Sequence, residues 1–168
     1  MVVACRDIDH ATTWQQWFNR DTFRTYTTED VAGVQLGGAL KNVIALATGI
    51  SDGIGFGDNT KAALITRGLA EMTRLGTVVN AHPYTFAGLS GLGDLVATCT
   101  STLSRNHRVG ERLGKGETIE AILHGMEQVA EGIYACEGAY TLGRTGNISL
   151  PITNEVYAVV HQGKNPRQ

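Results

Sequence analysis

Gly37-Gly38-Ala39-Leu40-Lys41-Asn42 lies in the middle of an apolar run from Val31 to Ser51. At helical spacing Val34, Gly37, Gly38, Lys41, Ala45 and Thr48 share one side, and Leu36, Leu40, Val43 and Ile44 share another. The run therefore reads as a long helix. Glycine costs such a helix up to about 1 kcal/mol per residue, so a pair of them needs a compensating use. Two readings are open. Either backbone, substrate or cofactor comes close to this face with the Lys41 ammonium in the gap, or Lys41 runs from a buried helix to water while the glycines ease helix packing.

A second stretch bears on that choice. Gly91-Leu92-Gly93-Asp94-Leu95 leads through Thr98 to Ser104-Arg105-Asn106. Serine is a good helix N-cap, and a helix N-terminus presents free backbone N–H groups to an anion. The adjoining arginine adds a planar fork suited to two phosphate oxygens. With an embedded lysine elsewhere, these residues make a candidate phosphate-and-hydroxyl pocket. Asp94 has two readings, as a partner for Lys41 or a substrate hydroxyl, or as the cap of the following helix.

The rest of the chain limits the possibilities. Its 168 residues suffice for one ordinary domain core. A net charge of −2 with both signs mixed gives no reason to expect nucleic acid as partner. Lys41 and Asn42 interrupt the best candidate for a membrane span. The scattered Cys5, Cys99 and Cys136 form no disulfide framework, and with no export signal they favour a reducing cytoplasm. The histidines show no ligand spacing, so no metal is expected.

The pattern along the chain divides in two. Val2–Ala4 reads as a strand, Ile8–Phe18 as a helix and Thr22–Thr27 as a second strand, the order a parallel sheet uses. Two short strands do not make a stable sheet alone, so this opening reads as the tail of a further domain. From Thr28-Glu29-Asp30, a capping turn, the pattern is helical. Helices are expected over Val31–Ser51, then after a cap at Asn59 or Thr60, and over Thr85–Leu89 and Gly91–Cys99. Further helices are expected over Arg105–Leu113, Thr118–Met126, Gly132–Leu142 and Asn154–Gln162, with Gly114, Gly116, Gly125, Gly143, Gly146 and Gly163 at helix ends. The fold class is mainly α: an all-helical domain over residues 29–168 preceded by a short α/β piece over residues 1–28.

Over nearly its whole length the chain resembles the C-terminal half of bacterial NAD(P)-dependent glycerol-3-phosphate dehydrogenase. Gly38 to Asn59 carries that family's signature, and Ser104-Arg105-Asn106 and Val129-Ala130-Glu131-Gly132 fall on corresponding motifs. The resemblance implies a helical substrate domain of the 6-phosphogluconate dehydrogenase C-terminal type behind the remnant of a Rossmann domain. It implies the interconversion of dihydroxyacetone phosphate and sn-glycerol 3-phosphate with NAD or NADP, for phospholipid precursor synthesis in the cytoplasm, in a homo-oligomer. Lys41 then matches the catalytic acid/base, whose proton loss burial or neighbouring cations would ease. Lys41, Asp94, Ser104, Arg105 and Asn106 match substrate-binding positions, and Arg105, Val129 and Glu131 match cofactor-binding ones. Asn42 is expected near the site, and Asp52, Asp58, Asn59 and Lys61 as caps and turn residues that shape it.

A dinucleotide site normally opens with Gly-x-Gly-x-x-Gly between a strand and a helix, and no such turn occurs here. The chain is expected to carry half a site and to be inactive alone. Two other readings stand beside this one. One is a non-enzymatic helical module for association or ligand sensing; the other is a related dehydrogenase of another hydroxy acid, against which Ser104-Arg105-Asn106 argues. Exposed sheet surface would favour association through residues 1–27.

Overall fold

The structure is a computed structural model and describes residues 1–126 and 128–168. It opens with a strand–helix–strand unit: β1 (Val2–Ala4), α1 (Ile8–Phe18) and β2 (Tyr26–Thr28). The strands are parallel, with Val2 opposite Tyr26 and Ala4 opposite Thr28. Asp7 starts α1 by accepting the N–H groups of Asp9 and His10. The second strand begins later than the expected Thr22. Phe23 folds back on Arg20 in an antiparallel bridge, and Asn19 and Gln15 take the Thr25 N–H and C=O at 2.7 and 2.8 Å. Those groups are spent before pairing with β1 can start.

Asp30 caps α2 (Val31–Ile54) by accepting the Gly33 N–H. This helix runs three residues past the expected Ser51, until Gly55 closes it at φ 100°. Around it pack α3 (Asp58–Gly76), α5 (Asp94–Thr100), α6 (Arg105–Gly114), α8 (Glu131–Thr145) and α9 (Pro151–Gln162). One face of α2 (Val43, Leu46, Ala47, Ile50) meets Val109, Leu113, Ile133, Cys136, Val156 and Val160. The other (Leu40, Ile44, Ala45) meets Met72, Leu75, Phe86, Leu95, Cys99 and Leu150. Each large side chain so buried contributes about 1.5–3 kcal/mol. A helix apolar on both faces is what a central core position requires.

By length and mean hydropathy (1.3 over its best window) α2 would also suit a bilayer, so Lys41 and Asn42 do not by themselves disqualify it as the sequence suggested. Within the fold 56% of that window is buried, which accounts for its apolar character as that of a core helix.

The tightest contact is between α2 and α6. A Cβ on Gly49 would lie 2.0 Å from the His107 carbonyl oxygen, and one on Gly110 would lie 2.2 Å from that of Leu46. Gly53 and Gly114, four residues on, meet backbone in the same way. The two helices thus touch main chain to main chain, which only residues without Cβ permit.

Several boundaries differ from expectation. α3 is capped by Gly57, with Asn59 and Thr60 inside the helix. The turn expected at Thr85–Leu89 is α4 (Pro83–Ala87), starting at its proline. The single helix expected over Gly91–Cys99 is a wide turn at Leu89–Gly93, in which Gly93 N–H reaches Gly88 C=O, followed by α5. Gly91 allows that turn, because a Cβ there would strike the Phe86 carbonyl at 2.1 Å. Thr118 caps α7 (Ile119–His124), which stops two residues short of Met126. Gly143 does not end α8 but lies within it, making room for Leu150. α9 starts at Pro151, three residues before the expected Asn154, where Glu71 of α3 accepts the Ile152 and Thr153 N–H groups at 2.6 and 3.0 Å.

Candidate functional site

Lys41 emerges near the middle of α2, and its Nζ lies 2.5 Å from Asp94 Oδ2. The lysine side chain is 22% exposed. Of the two readings of Asp94, the capping one is not what the structure shows: Asp94 is the first residue of α5 and makes no cap bond, its carboxylate going to Lys41 instead. One turn on, Thr98 donates its hydroxyl to the Asp94 carbonyl at 2.6 Å, with Asp94 Oδ1 at 3.3 Å. Lys41 therefore combines burial with an anionic partner, where a neighbouring cation was the other expectation.

Across from this pair is the start of α6. Ser104 is its N-cap, accepting the His107 N–H at 3.3 Å. Arg105 donates Nη1–H to Gln128 Oε1 at 2.8 Å. Asn106 is buried: it donates to Asn42 Oδ1 at 3.0 Å and accepts the Gly132 N–H at 2.9 Å. Asn42 in turn donates to the Gly38 carbonyl at 3.2 Å. Two amide side chains so join α2, α6 and α8 at one point, each buried polar group finding a partner. Lys41, Asn42, Thr98, Ser104, Arg105, Asn106 and Glu131 all line one depression of about 400 Å³. Val129 is half exposed and lies outside that lining.

The depression holds two cations, three hydroxyls, the Glu131 carboxylate, the Asn42–Asn106 pair and the N-terminus of a ten-residue helix. Such a set can bind an anion beside a group able to transfer a proton. A groove of about 480 Å³ between α2, α9 and the C-terminal residues is larger but apolar, and its charged residues, Lys164 and Glu155, pair with each other. The chemistry gathers in the smaller space. Glycine-rich turns after a strand are missing among the described residues: Gly53 to Gly57 closes α2, and Gly91 to Gly93 forms the wide turn. Of Arg105, Val129 and Glu131, the first and last line the depression and Val129 does not.

Two features escaped the sequence reading. Gln128 holds Arg105. Asp52, taken for a turn residue, sits between Lys61 at 2.7 Å and His107 at 2.8 Å. The hydrogen bond that Lys61 donates to the Asp52 carboxylate holds the lysine pKa above its ordinary value. Asp58, 3.8 Å from Lys61, and Asn59 are the first two residues of α3.

Comparison with known proteins matches residues 30–168 to the family model described as NAD-dependent glycerol-3-phosphate dehydrogenase C-terminus. The chain is 55% identical over 167 residues to a glycerol-3-phosphate dehydrogenase (NAD(P)+) of Nitratidesulfovibrio vulgaris, covering 99% of this chain and 51% of that protein. It is 55% identical over 168 residues to the protein of the same description from Geobacter sulfurreducens, covering 100% and 50%. The crystal structure of glycerol-3-phosphate dehydrogenase from Coxiella burnetii superposes with a TM-score of 0.94 at 40% identity, over 99% of this chain and 51% of that one. The chain spans about half the length of the curated relatives it matches.

Proposed function

Because the chain belongs to the family of the NAD-dependent glycerol-3-phosphate dehydrogenase C-terminus, we propose that it supplies the substrate-binding and proton-transfer half of an enzyme interconverting dihydroxyacetone phosphate and sn-glycerol 3-phosphate. The observation that carries this reading is the Lys41–Asp94 pair facing the capped, arginine-bearing start of α6 across one depression.

Lys41 is the acid/base. As ammonium it donates its proton to the C2 oxygen of the ketone as that oxygen gains charge, and in the reverse direction its amine takes the proton from the C2 hydroxyl. Asp94, fixed by α5 and Thr98, keeps the ammonium aimed into the depression. The substrate phosphate lies at the start of α6, against Arg105, the Ser104 hydroxyl and free N–H groups of the first turn. Arg105 gives up the neutral Gln128 oxygen for a charged one, a stronger partner. Asn106 spends its carbonyl and one N–H on the scaffold and keeps its second N–H for a substrate oxygen.

NAD or NADP, bound chiefly by a nucleotide-binding half, supplies or accepts the hydride. Arg105, Val129 and Glu131 would form this chain's wall of that site, Glu131 accepting hydrogen bonds from ribose or amide groups. Without that half the chain is inactive. We place residues 1–28 with the nucleotide-binding part and residues 29–168 as the catalytic domain of a cytoplasmic homo-oligomer serving phospholipid precursor synthesis.

The test is made in a protein that includes the nucleotide-binding half. Lys41→Ala should lower kcat by about a thousandfold with unchanged thermal unfolding. Arg105→Ala should raise the KM for dihydroxyacetone phosphate. Retention of most of the rate by Lys41→Ala would refute the assignment.

A further inference from the structure

We propose that Asp52, held between Lys61 and His107, is a positioning residue for the phosphate end of the depression; this rests on the reading above of that depression as the substrate site. Asp52 lies about three helical turns from Lys41 along α2, too far to touch a substrate bound there. Its carboxylate nevertheless reaches the turn that carries Ser104, Arg105 and Asn106. The ring of His107, next in sequence, meets Asp52 Oδ2 at 2.8 Å. The backbone of the same residue is committed too: its N–H goes to Ser104 Oγ at 3.3 Å, and its carbonyl rests against Gly49.

Gly49 and Asp52 are three residues apart on one face of α2. His107 therefore docks the first turn of α6 onto α2 through both main chain and side chain. Lys61 brings α3 to the same carboxylate oxygen at 2.7 Å, with Asp58 at 3.8 Å on its far side. The side chains of Asp52, Lys61 and His107 are 21, 20 and 11% exposed, so the cluster is shielded but not dry.

The first turn of α6 thus has two ties to α2. Asn106 to Asn42 faces the depression, and His107 to Asp52 lies behind it. The main-chain contact at Gly49 sets how far along α2 the helix sits; the two side-chain ties together fix where Arg105 starts and where the N–H groups of the turn point. A shielded ion cluster adds little net stability compared with apolar packing, so its geometry is the more telling property. The assignment is that Asp52 acts on the substrate phosphate through His107 and the turn that His107 anchors.

The experiment uses the enzyme with its nucleotide-binding half. Asp52→Asn and His107→Ala should each raise the KM for sn-glycerol 3-phosphate roughly tenfold while kcat changes much less, since they misplace the binding turn and not the proton donor. His107→Gln, which keeps an N–H able to reach the carboxylate, should restore much of the KM. Glu71→Gln is the control, because Glu71 is a more deeply buried carboxylate that holds α9 and touches nothing in the depression. It should lower the thermal midpoint and leave KM unchanged. If Asp52→Asn does not fold, His107→Ala and His107→Gln carry the same comparison. A fall in thermal midpoint with unchanged KM in the His107 and Asp52 variants would make the cluster a structural pair only and overturn the proposal. A wild-type enzyme with no turnover of sn-glycerol 3-phosphate would instead overturn the reading of the depression, and this inference with it.

Discussion

Burial pushes the Cys99 thiol up to about 11, with Thr48 and the Lys61 charge offsetting only part of it, and pushes Cys136 up to about 12. Both are closed off from solvent, whereas Cys5 is partly accessible. Alkylation by iodoacetamide requires thiolate and access together. At pH 8 the native chain should take up one equivalent, at Cys5, and three after denaturation, as read by peptide mass spectrometry. Labelling of Cys99 at the rate of Cys5 would contradict the packing of α5 on α2. At this scale the legibility of the sequence depends on how a residue is used. Lys41 and Arg105 stand out because a cation in an apolar run or beside a serine cap is anomalous where it stands. Asp52, His107 and Gln128 look ordinary where they stand. Asp52 and His107 are 55 residues apart, and Arg105 and Gln128 are 23 apart, so only the packed fold makes them partners.

Asp30 shows the same behaviour one level up, where a cap becomes a junction between helices. Besides the Gly33 N–H, its carboxylate accepts the His82 N–H at 2.8 Å and the Thr85 hydroxyl at 2.6 Å, tying α2 to the chain entering α4. Burial pushes Asp30 up, but the hydrogen bonds from Thr85, Gly33 and His82 outweigh it and hold the carboxyl below its ordinary value of 3.8. The native state therefore favours the ionised form. Its contribution to stability is complete above 3.8 and is lost as pH falls through the lowered folded value. Asp30→Asn replaces one acceptor oxygen by an N–H donor and should cost about 1 kcal/mol at pH 7, as measured by urea unfolding, and the gap from wild type should close on acidification. A gap of constant size across that range would sink the argument. The Asp30 cap and the long helix after it are readable from sequence because capping residues and helical periodicity are local signals. The early start of α9 is not, since it is set by Glu71, 81 residues from Ile152; the late start of β2 and the wide turn before α5 are set closer by, by Asn19 for Thr25 and Phe86 against Gly91, through contacts that hydrophobic periodicity does not register.

On the scale of the whole molecule, the two ends of the chain differ in how well they are covered. The chain's two tryptophans, Trp14 and Trp17, are 47 and 63% exposed on α1, packed edge to face at 5.2 Å, with Phe18 stacked on Trp14. Such a row of exposed rings is a candidate contact surface. Tryptophan emission reports this face alone, so iodide should quench it strongly in the dilute chain. Quenching should drop when the nucleotide-binding half is present or when the chain associates at high concentration. Weak quenching at every concentration would mean the row is already covered. At the other end, the meshed glycines of α2 and α6 have a mechanical consequence. Because they recur every four residues on both helices, the next seat for α6 along α2 is about 6 Å away. The pair is a ratchet with a single occupied notch: it cannot creep by fractions of a turn without driving main chain into main chain. Lys41 and Asn42 are therefore registered against Asn106 as teeth on meshed gears.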